Sequence, residues 1–398
     1  MLSPDYLLHI SEGSEQIAEE LHVDIINRIV DRVVTRMDRG EEFMFTSYDK
    51  WQIETLQEAG YLLEDIQEEI AKKTKQQTEE VKEAMEEAGV EALEYDDKIY
   101  QDAGLSPTPL EQSPSMVRLM QDDYEKTMGE WKNFTRTMAV SVQQDYIRLM
   151  DKAYNLVTSG AVSYTQAFKE VLDEIIDEGV KIRYPSGRED TVETATLRAV
   201  RTGVSQMSAH IQIARMDEMG VDLVIVSSHL GARPDHQKWQ GKVYSRTGNG
   251  YPDFVESTGY GTAKGLCGIN CRHNFSPYFE GMSNPFEHYD SEENCKRYEL
   301  EQRQRALERR IRDTKRKCIN QKEVIDNCKN EKMKFEYDIE YQKRANLLSK
   351  QNKAYNDFCK ENDLRPLNER IQIAKWNRQQ AAAARGAAKR YKNAKGET

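Results

Sequence analysis

Near the start of the chain, apolar residues recur every four positions: Ile17, Leu21, Ile25, Ile29, Val33 and Met37. That period predicts a helix with one apolar stripe, opened by Ser14 as N-cap and closed by Gly40. A second segment opens at Thr46 or Ser47 and places Leu56, Leu63, Ile66 and Ile70 on one face. It continues into KKTKQQTEEVKEAMEEAGVEALEYDD, which is polar nearly all round. A helix of that kind is held by charge pairs four residues apart or by docking on a partner. AGLSPTPLEQSPSM, with three prolines, reads as a break. The first regions are therefore an N-terminal helical region (1–102), a linker (103–116) and a helical connector (117–159). The connector carries Trp131, Phe134, Met138, Val142, Tyr146, Leu149, Ala153 and Leu156, and predicts one or two long helices ending at Gly160.

The texture then changes. SYTQAFKEVLDEIIDEG predicts a short capped helix ended by Gly179, and VKIRYPSGREDTVET a strand, a Pro-Ser-Gly turn and a second extended piece. A helix from about Val192 to Met219 follows, with Gly220 just past its end. VDLVIVSSH is a β-branched run of the length of a buried strand. Residues 160–290 thus predict an α+β domain. From Asp290 the pattern is helical again, with a break at Arg365-Pro366 and a last helix from about Asn368 into a fraying AAAARGAAKRYKNAKG. The apolar positions do not keep a seven-residue repeat, so irregular helix packing is expected rather than an extended coiled coil. The fold class expected is mostly α with a central α+β domain and long charged helices at both ends.

Composition sharpens this picture. The 398 residues are only 38% hydrophobic and 31% charged, and the mean hydropathy is -0.82. A chain this polar carries helices that are not buried all round, or works in an assembly that covers them. The net charge of -11 hides an asymmetry: residues 291–398 carry a net +11 and the rest -22. The basic C-terminal helical region (291–398) suits nucleic acid or an acidic surface; because its basic residues are interspersed with acidic ones, pairing with acidic protein is the simpler reading. Six cysteines in 398 residues do not make a disulfide scaffold. No apolar run approaches a membrane span, and the start lacks the basic-then-apolar order of a signal peptide, so synthesis in the cytoplasm is expected.

The candidate chemistry is concentrated between Ser227 and Tyr278. Three of the seven histidines (His229, His236, His273), Cys267, Cys271 and Trp239 fall there. Cys267-x3-Cys271-x-His273, completed by His236, His229 or Asp235, could make a tetrahedral zinc shell. The spacing is not a strong zinc signature, and the simpler reading packs the cysteines as small hydrophobes while histidine and arginine pin a loop. No cofactor is therefore expected, with zinc on Cys267, Cys271, His273 and His236 as the alternative. A catalytic reading would use Asp235 or His236 as general base, or Cys271 as nucleophile with a histidine partner and Arg272 lowering its pKa. Nothing in the sequence brings these groups together, and no catalytic residue is assigned. GYGTAKG lacks the ending of a phosphate loop and reads as a flexible loop. Trp239 and Tyr244 could stack on a base but suit a core better.

At these residues the chain resembles the phage minor capsid proteins of the minor capsid protein 2 type. The likeness runs through LSPDYLLHISEGSEQIAEEL, FTSYDKWQIETLQEAG, SSHLGARPDHQKWQGKVYS, GLCGINCRH and IAKWNRQQAAAARGAAKRY. The central part is also similar to the Mu F-type head morphogenesis domain. There Arg201-Thr202 opens the helix with Gly203 where Glu is usual. ARPDHQKWQGKV occupies the turn and short strand without that domain's cysteine pair, and Cys271-Arg272-His273 stands for its closing motif. The resemblance implies a structural motif of His229, Arg233, Asp235, His236, Trp239, Gly241, Cys267, Cys271, Arg272 and His273. It implies a virion component, not an enzyme, that acts at the portal or inner head in assembly or DNA delivery. The partners it implies are the portal protein, capsid or scaffold subunits and packaged DNA, with no membrane. The alternatives are a virion-carried metal-dependent enzyme or toxin, and a DNA-binding head protein.

Overall fold

A computed structural model describes residues 1–44 and 47–396. Thr46, one of the two expected openings of the second helix, lies outside the described residues. The chain begins with α1 (Pro4–His9), α2 (Glu12–Met37), α3 (Glu41–Met44) and α4 (Tyr48–Asp102). Next come α5 (Pro114–Thr158), α6 (Tyr164–Glu178), β1 (Ile182–Arg183), β2 (Glu189–Asp190) and α7 (Val192–Met219). The middle closes with β3 (Leu223–Val226), β4 (Val243–Ser245), α8 (Phe254–Thr258) and β5 (Phe275–Pro277). Three further helices, α9 (Ser291–Asn327), α10 (Glu331–Glu361) and α11 (Arg378–Lys395), complete it. The protein is mostly α, and its described sheets are small and antiparallel: a β1-β2 ribbon and a β4-β3-β5 sheet.

Most element boundaries follow local chemistry. Ser47 caps α4 by accepting from the Lys50 N–H at 3.1 Å. Ser163 does the same for α6 through Gln166, and Pro114 opens α5 at its first position, where a missing N–H costs nothing. The turns after α2, α6 and α7 close on Gly40, Gly179 and Gly220. Two boundaries differ from the sequence reading. Ser14 is not an N-cap, because α2 starts at Glu12 and Ser14 lies inside it, buried. The last helix starts at Arg378 rather than near Asn368: residues Asn368–Ile371 form one 3-10 turn, and the Asn377 side chain accepts from the Gln379 and Gln380 N–H groups to open α11.

The chain gathers into two compact units, each assembled from three stretches. The first comprises Met1–Glu15, Lys75–Asn133 and Thr194–Gln302; the second comprises Gln16–Thr74, Phe134–Glu193 and Arg303–Thr398.

In the first unit, the stretch of α4 that reads as polar nearly all round has a buried seam. Gln77, Val81, Met85, Ala88, Ala92, Asp96 and Tyr100 are buried at spacings of three and four. The seam is hard to see in sequence because alanine and two polar residues make up much of it. Tyr100 joins Ala209 and Met216 of α7 in a core with Val224 and Val226 of β3, Tyr244 of β4 and Phe275 of β5. Strand β3 is central, with Val224 opposite both Tyr244 and Pro277. Its β-branched residues are buried on both faces, which is why it reads as a continuous apolar run.

In the second unit, α2 is buried beyond the expected stripe: Val23, Ile26, Val30 and Val34 join Leu21, Ile25, Ile29 and Val33. Arg36 is fully buried. Its guanidinium lies 3.7 Å over the Trp51 ring and donates to Glu58 at 2.7 Å, so stacking and a carboxylate together offset its desolvation. Helix α11 docks through Ala384, Ala387 and Ala388 against Cys318 of α9 and Tyr341 and Ala345 of α10.

Candidate functional site

The loops on either side of the β3 sheet carry the cluster. After β3 the chain passes His229 and winds through successive turns in which Arg233 O accepts from His236 N–H and His236 O from Trp239 and Gln240 N–H. Gly241, at φ 67, turns the chain back so that its N–H reaches Val226 O at 3.0 Å. That backbone conformation suits glycine, and it fixes His236 and Gln240 relative to the strand. The second loop enters β5. Contrary to the flexible-loop reading, GYGTAKG is wound tightly: Thr262 N–H bonds Gly259 O, Leu266 N–H bonds Thr258 O and Ile269 N–H bonds Ala263 O. A Cβ at Gly265 would lie 1.9 Å from Gly259 O, so two backbone segments touch where only glycine fits. This packing delivers Cys267, Cys271 and His273 to the sheet end. Asn274 then anchors the lead-in to β5, its side chain donating to Ser208 of α7 at 3.0 Å and its N–H to Ser227 Oγ at 3.0 Å.

Three of the candidate residues converge. His236 Nδ1 lies 3.4 Å from His273 Nδ1, and Cys271 Sγ lies 3.7 Å from each of these nitrogens. All three side chains are buried. The outer nitrogens of both rings face oxygen. His236 Nε2 is 2.9 Å from Lys264 O, and His273 Nε2 is 3.0 Å from Gln240 Oε1. Gln240 Oε1 also accepts from the His229 N–H at 3.1 Å, which fixes it as the amide oxygen. The Gln240 oxygen assigns the His273 proton to Nε2 and leaves its Nδ1 as an acceptor, whereas His236 Nε2 meets both the Lys264 carbonyl, an acceptor, and the Arg233 guanidinium, a donor.

The other candidates surround this trio. His229 stacks on His273 with centroids 4.5 Å apart, and Trp239 meets His273 edge-on at 4.8 Å. Tyr244 donates its hydroxyl to Trp239 O at 2.9 Å, and Trp239 and Tyr244 are both core residues. Cys267 Sγ sits 3.7 Å from His273 O and is not among the converging ligand atoms. Arg233 donates to Lys264 O at 3.2 Å and touches the same edge of His236. Arg272 reaches Glu301 of α9 at 3.2 Å. Asp235 is not brought in: its carboxylate is 58% exposed and 3.8 Å from Arg233.

Burial lowers the His236 imidazole and lowers His273 well below its usual value, and the neighbouring histidines and arginines push His273 the same way. Burial raises the Cys271 thiol, an effect that Arg233 and Arg272 do not reverse, and it raises Cys267 further. A buried, raised thiol is a poor nucleophile, and the exposed Asp235 does not face it, although His236 and His273 both lie beside it.

Several participants carry no sequence signal. Gln240 and the carbonyl of Lys264 orient the two rings, and neither belongs to a ligand motif. Asn294 of α9 accepts from Gly231 and Ala232 N–H and donates to Ala232 O, all at 2.9 Å, and so holds the start of the first loop. Its position in a charged helix gives no hint of that role.

Comparison with known proteins places residues 2–359 of the chain in a family. The family model described as "Phage minor capsid protein 2" matches residues 2–359. A "Structural protein" of Lactococcus phage LL-H is 31% identical over 162 residues, which cover 37% of this chain and 44% of that protein. A "Structural protein" of Lactococcus phage mv4 is 41% identical over 70 residues, 17% of this chain and 56% of that protein. The chain thus spans about half the length of these relatives. No solved structure matches.

Proposed function

We propose, since the chain belongs to the phage minor capsid protein 2 family, that it is built into the virion head at the portal vertex or inner head surface. Its role there is architectural, in head assembly or DNA delivery. The observation that carries this reading is the family match over residues 2–359. Both relatives are themselves named structural proteins.

The surface supports an assembled role. In the second unit, Phe335, Ile339 and Leu347 of α10 are 66%, 46% and 48% exposed, and Ile53, Leu56 and Tyr61 of α4 are each more than half exposed. These apolar side chains are the places where contact with a neighbouring subunit is proposed. Portal, capsid or scaffold subunits are the partners proposed. Among the described residues no helix is long and apolar enough to cross a membrane. Helix α11 presents Arg378, Arg385 and Lys389 on its exposed side, and packaged DNA is the polyanion proposed to meet it. An enzymatic role is not proposed, because the converging His/Cys groups are buried and the one carboxylate beside them in sequence faces solvent.

The test is a nonsense mutation in the gene, with the protein supplied in trans. Purified particles should contain the protein by mass spectrometry in a few copies per head, and uncomplemented lysates should yield empty or non-infectious heads. Normal titres of infectious particles without it would overturn the assignment.

A further inference from the structure

We propose that His236, Cys271 and His273 form a binding site for a thiophilic divalent cation, zinc above all, which ties the loop after β3 to the loop before β5. The first support is the ligand triangle, with edges of 3.4, 3.7 and 3.7 Å. A tetrahedral zinc with Zn–N near 2.0–2.1 Å and Zn–S near 2.3 Å sets its N···N edge at about 3.4 Å and its N···S edges at about 3.6 Å. The triangle therefore has zinc dimensions before any ion is placed.

The second support is the shell behind it. Metal-bound histidines give their other N–H to a carbonyl or carboxylate, which fixes the ring and its tautomer. Here Lys264 O and Gln240 Oε1 hold the two Nε2 atoms. The Gln240 oxygen makes His273 Nδ1 an acceptor, and the Lys264 carbonyl offers His236 Nε2 the proton position that a metal-bound ring needs, in competition with the Arg233 guanidinium. On binding, Cys271 coordinates as thiolate, its proton leaves to solvent, and both Nδ1 atoms coordinate through their lone pairs. One thiolate with two imidazoles selects zinc over calcium or magnesium, which prefer oxygen.

The three side chains supply three corners of the tetrahedron, and a solvent-derived ligand takes the fourth. Cys267 is outside the set. Its thiol lies on the His273 carbonyl, so the site takes three side chains and not the four that the spacing suggests.

The experiment uses full-length protein expressed in zinc-supplemented medium and desalted. Elemental analysis should find about one zinc per chain. Cys271→Ser and His273→Asn should fall below about a tenth of that, while Cys267→Ser keeps the ion. Stripping wild-type protein with a chelator should lower its Tm by several degrees, and zinc should restore it, a readout that does not depend on any variant folding. Cobalt(II) added to the stripped protein should saturate at one ion per chain with a thiolate charge-transfer band, lost in Cys271→Ser. Overturning results are a zinc-replete wild type without stoichiometric metal, or an ion retained by a Cys271→Ser/His273→Asn double variant.

Discussion

Each unit buries a polar cluster that includes histidine, and the two are satisfied by different means. In the second unit, His22 Nε2 accepts from the Val180 N–H at 3.2 Å, and its Nδ1 lies 2.6 Å from Glu193 Oε1. Arg316 closes on the same carboxylate at 2.8 Å. The Glu193 carboxylate there meets the His22 ring and the Arg316 guanidinium, both from the chain itself. Burial would raise the Glu193 carboxyl, but His22 and Arg316 more than reverse it and hold it well below the ordinary range. In the first unit, His236, His273 and Cys271 meet no carboxylate. Two carbonyl oxygens and the Arg233 guanidinium line the outside of the rings, and the inside is ring nitrogen and sulfur. The contrast shows that a buried histidine is not informative alone. What separates a closed ion cluster from a site with room for a cation is which atoms its two nitrogens face.

Substitutions can test that contrast, beginning where the effect is largest. Glu193→Gln removes the carboxylate that Arg316 hydrogen-bonds, leaving only the fields of Glu19 and Asp313, and should cost about 3–5 kcal/mol in chemical denaturation, with or without chelator. The sign of its pH dependence is fixed by the lowered carboxyl. The stabilisation is present above the unfolded carboxyl value of about 4.3 and is lost as pH falls through the folded one. Thermal melts of wild type and Glu193→Gln should therefore keep a constant gap near neutrality and converge only at strongly acidic pH. A gap that closes between pH 8 and 6 would mean that the carboxylate is not the group responsible.

Asn294→Ala should come next. It removes the acceptor of two buried N–H groups, those of Gly231 and Ala232, at about 1–3 kcal/mol. Gly265→Ala should cost about 1–3 kcal/mol by forcing apart two backbone segments. It should also weaken zinc retention, which Glu193→Gln should leave intact. Equal zinc loss in both would erase the distinction between the clusters. Arg385→Ala with Lys389→Ala, on the exposed side of α11, should shift stability by no more than about 0.5 kcal/mol. The same pair should flatten the salt dependence of duplex DNA binding by about two phosphate contacts. An unchanged slope would remove α11 from the proposed contact.

Much of this fold was legible where the cause is local. The stripe from Leu21 to Met37 and the glycines after α2, α6 and α7 follow from periodicity and backbone sterics over a few residues. The β-branched Val224–Val226 run marked the central strand for the same reason. Features that depend on distant packing were not legible. The seam from Gln77 to Tyr100 looks polar because its buried members are alanine, glutamine and aspartate, and only α7 and β5 across from it show that it is a core face: Gln212 donates to Asp96 at 2.8 Å and to Phe275 O at 2.7 Å. The start of α11 was missed because an alanine-rich pattern was extended back across Trp376, a residue that packs instead of continuing a helix. At the cluster, the residue types pointed to the right stretch of chain. The meeting of His236 with Cys271, far apart in sequence, is made by β3 lying between β4 and β5, and no spacing rule contains it.

The alanine face of α11 has one more consequence. A basic tail that frays would have to be ordered each time it met a polyanion, and the lost rotational freedom would subtract from the affinity. Seated on Cys318, Tyr341 and Ala345, its arginines and lysines project from a platform whose entropy was given up when the chain folded. An incoming strand would then meet a fixed row of positive charge, and its binding would be limited by ionic strength more than by the chain's own disorder.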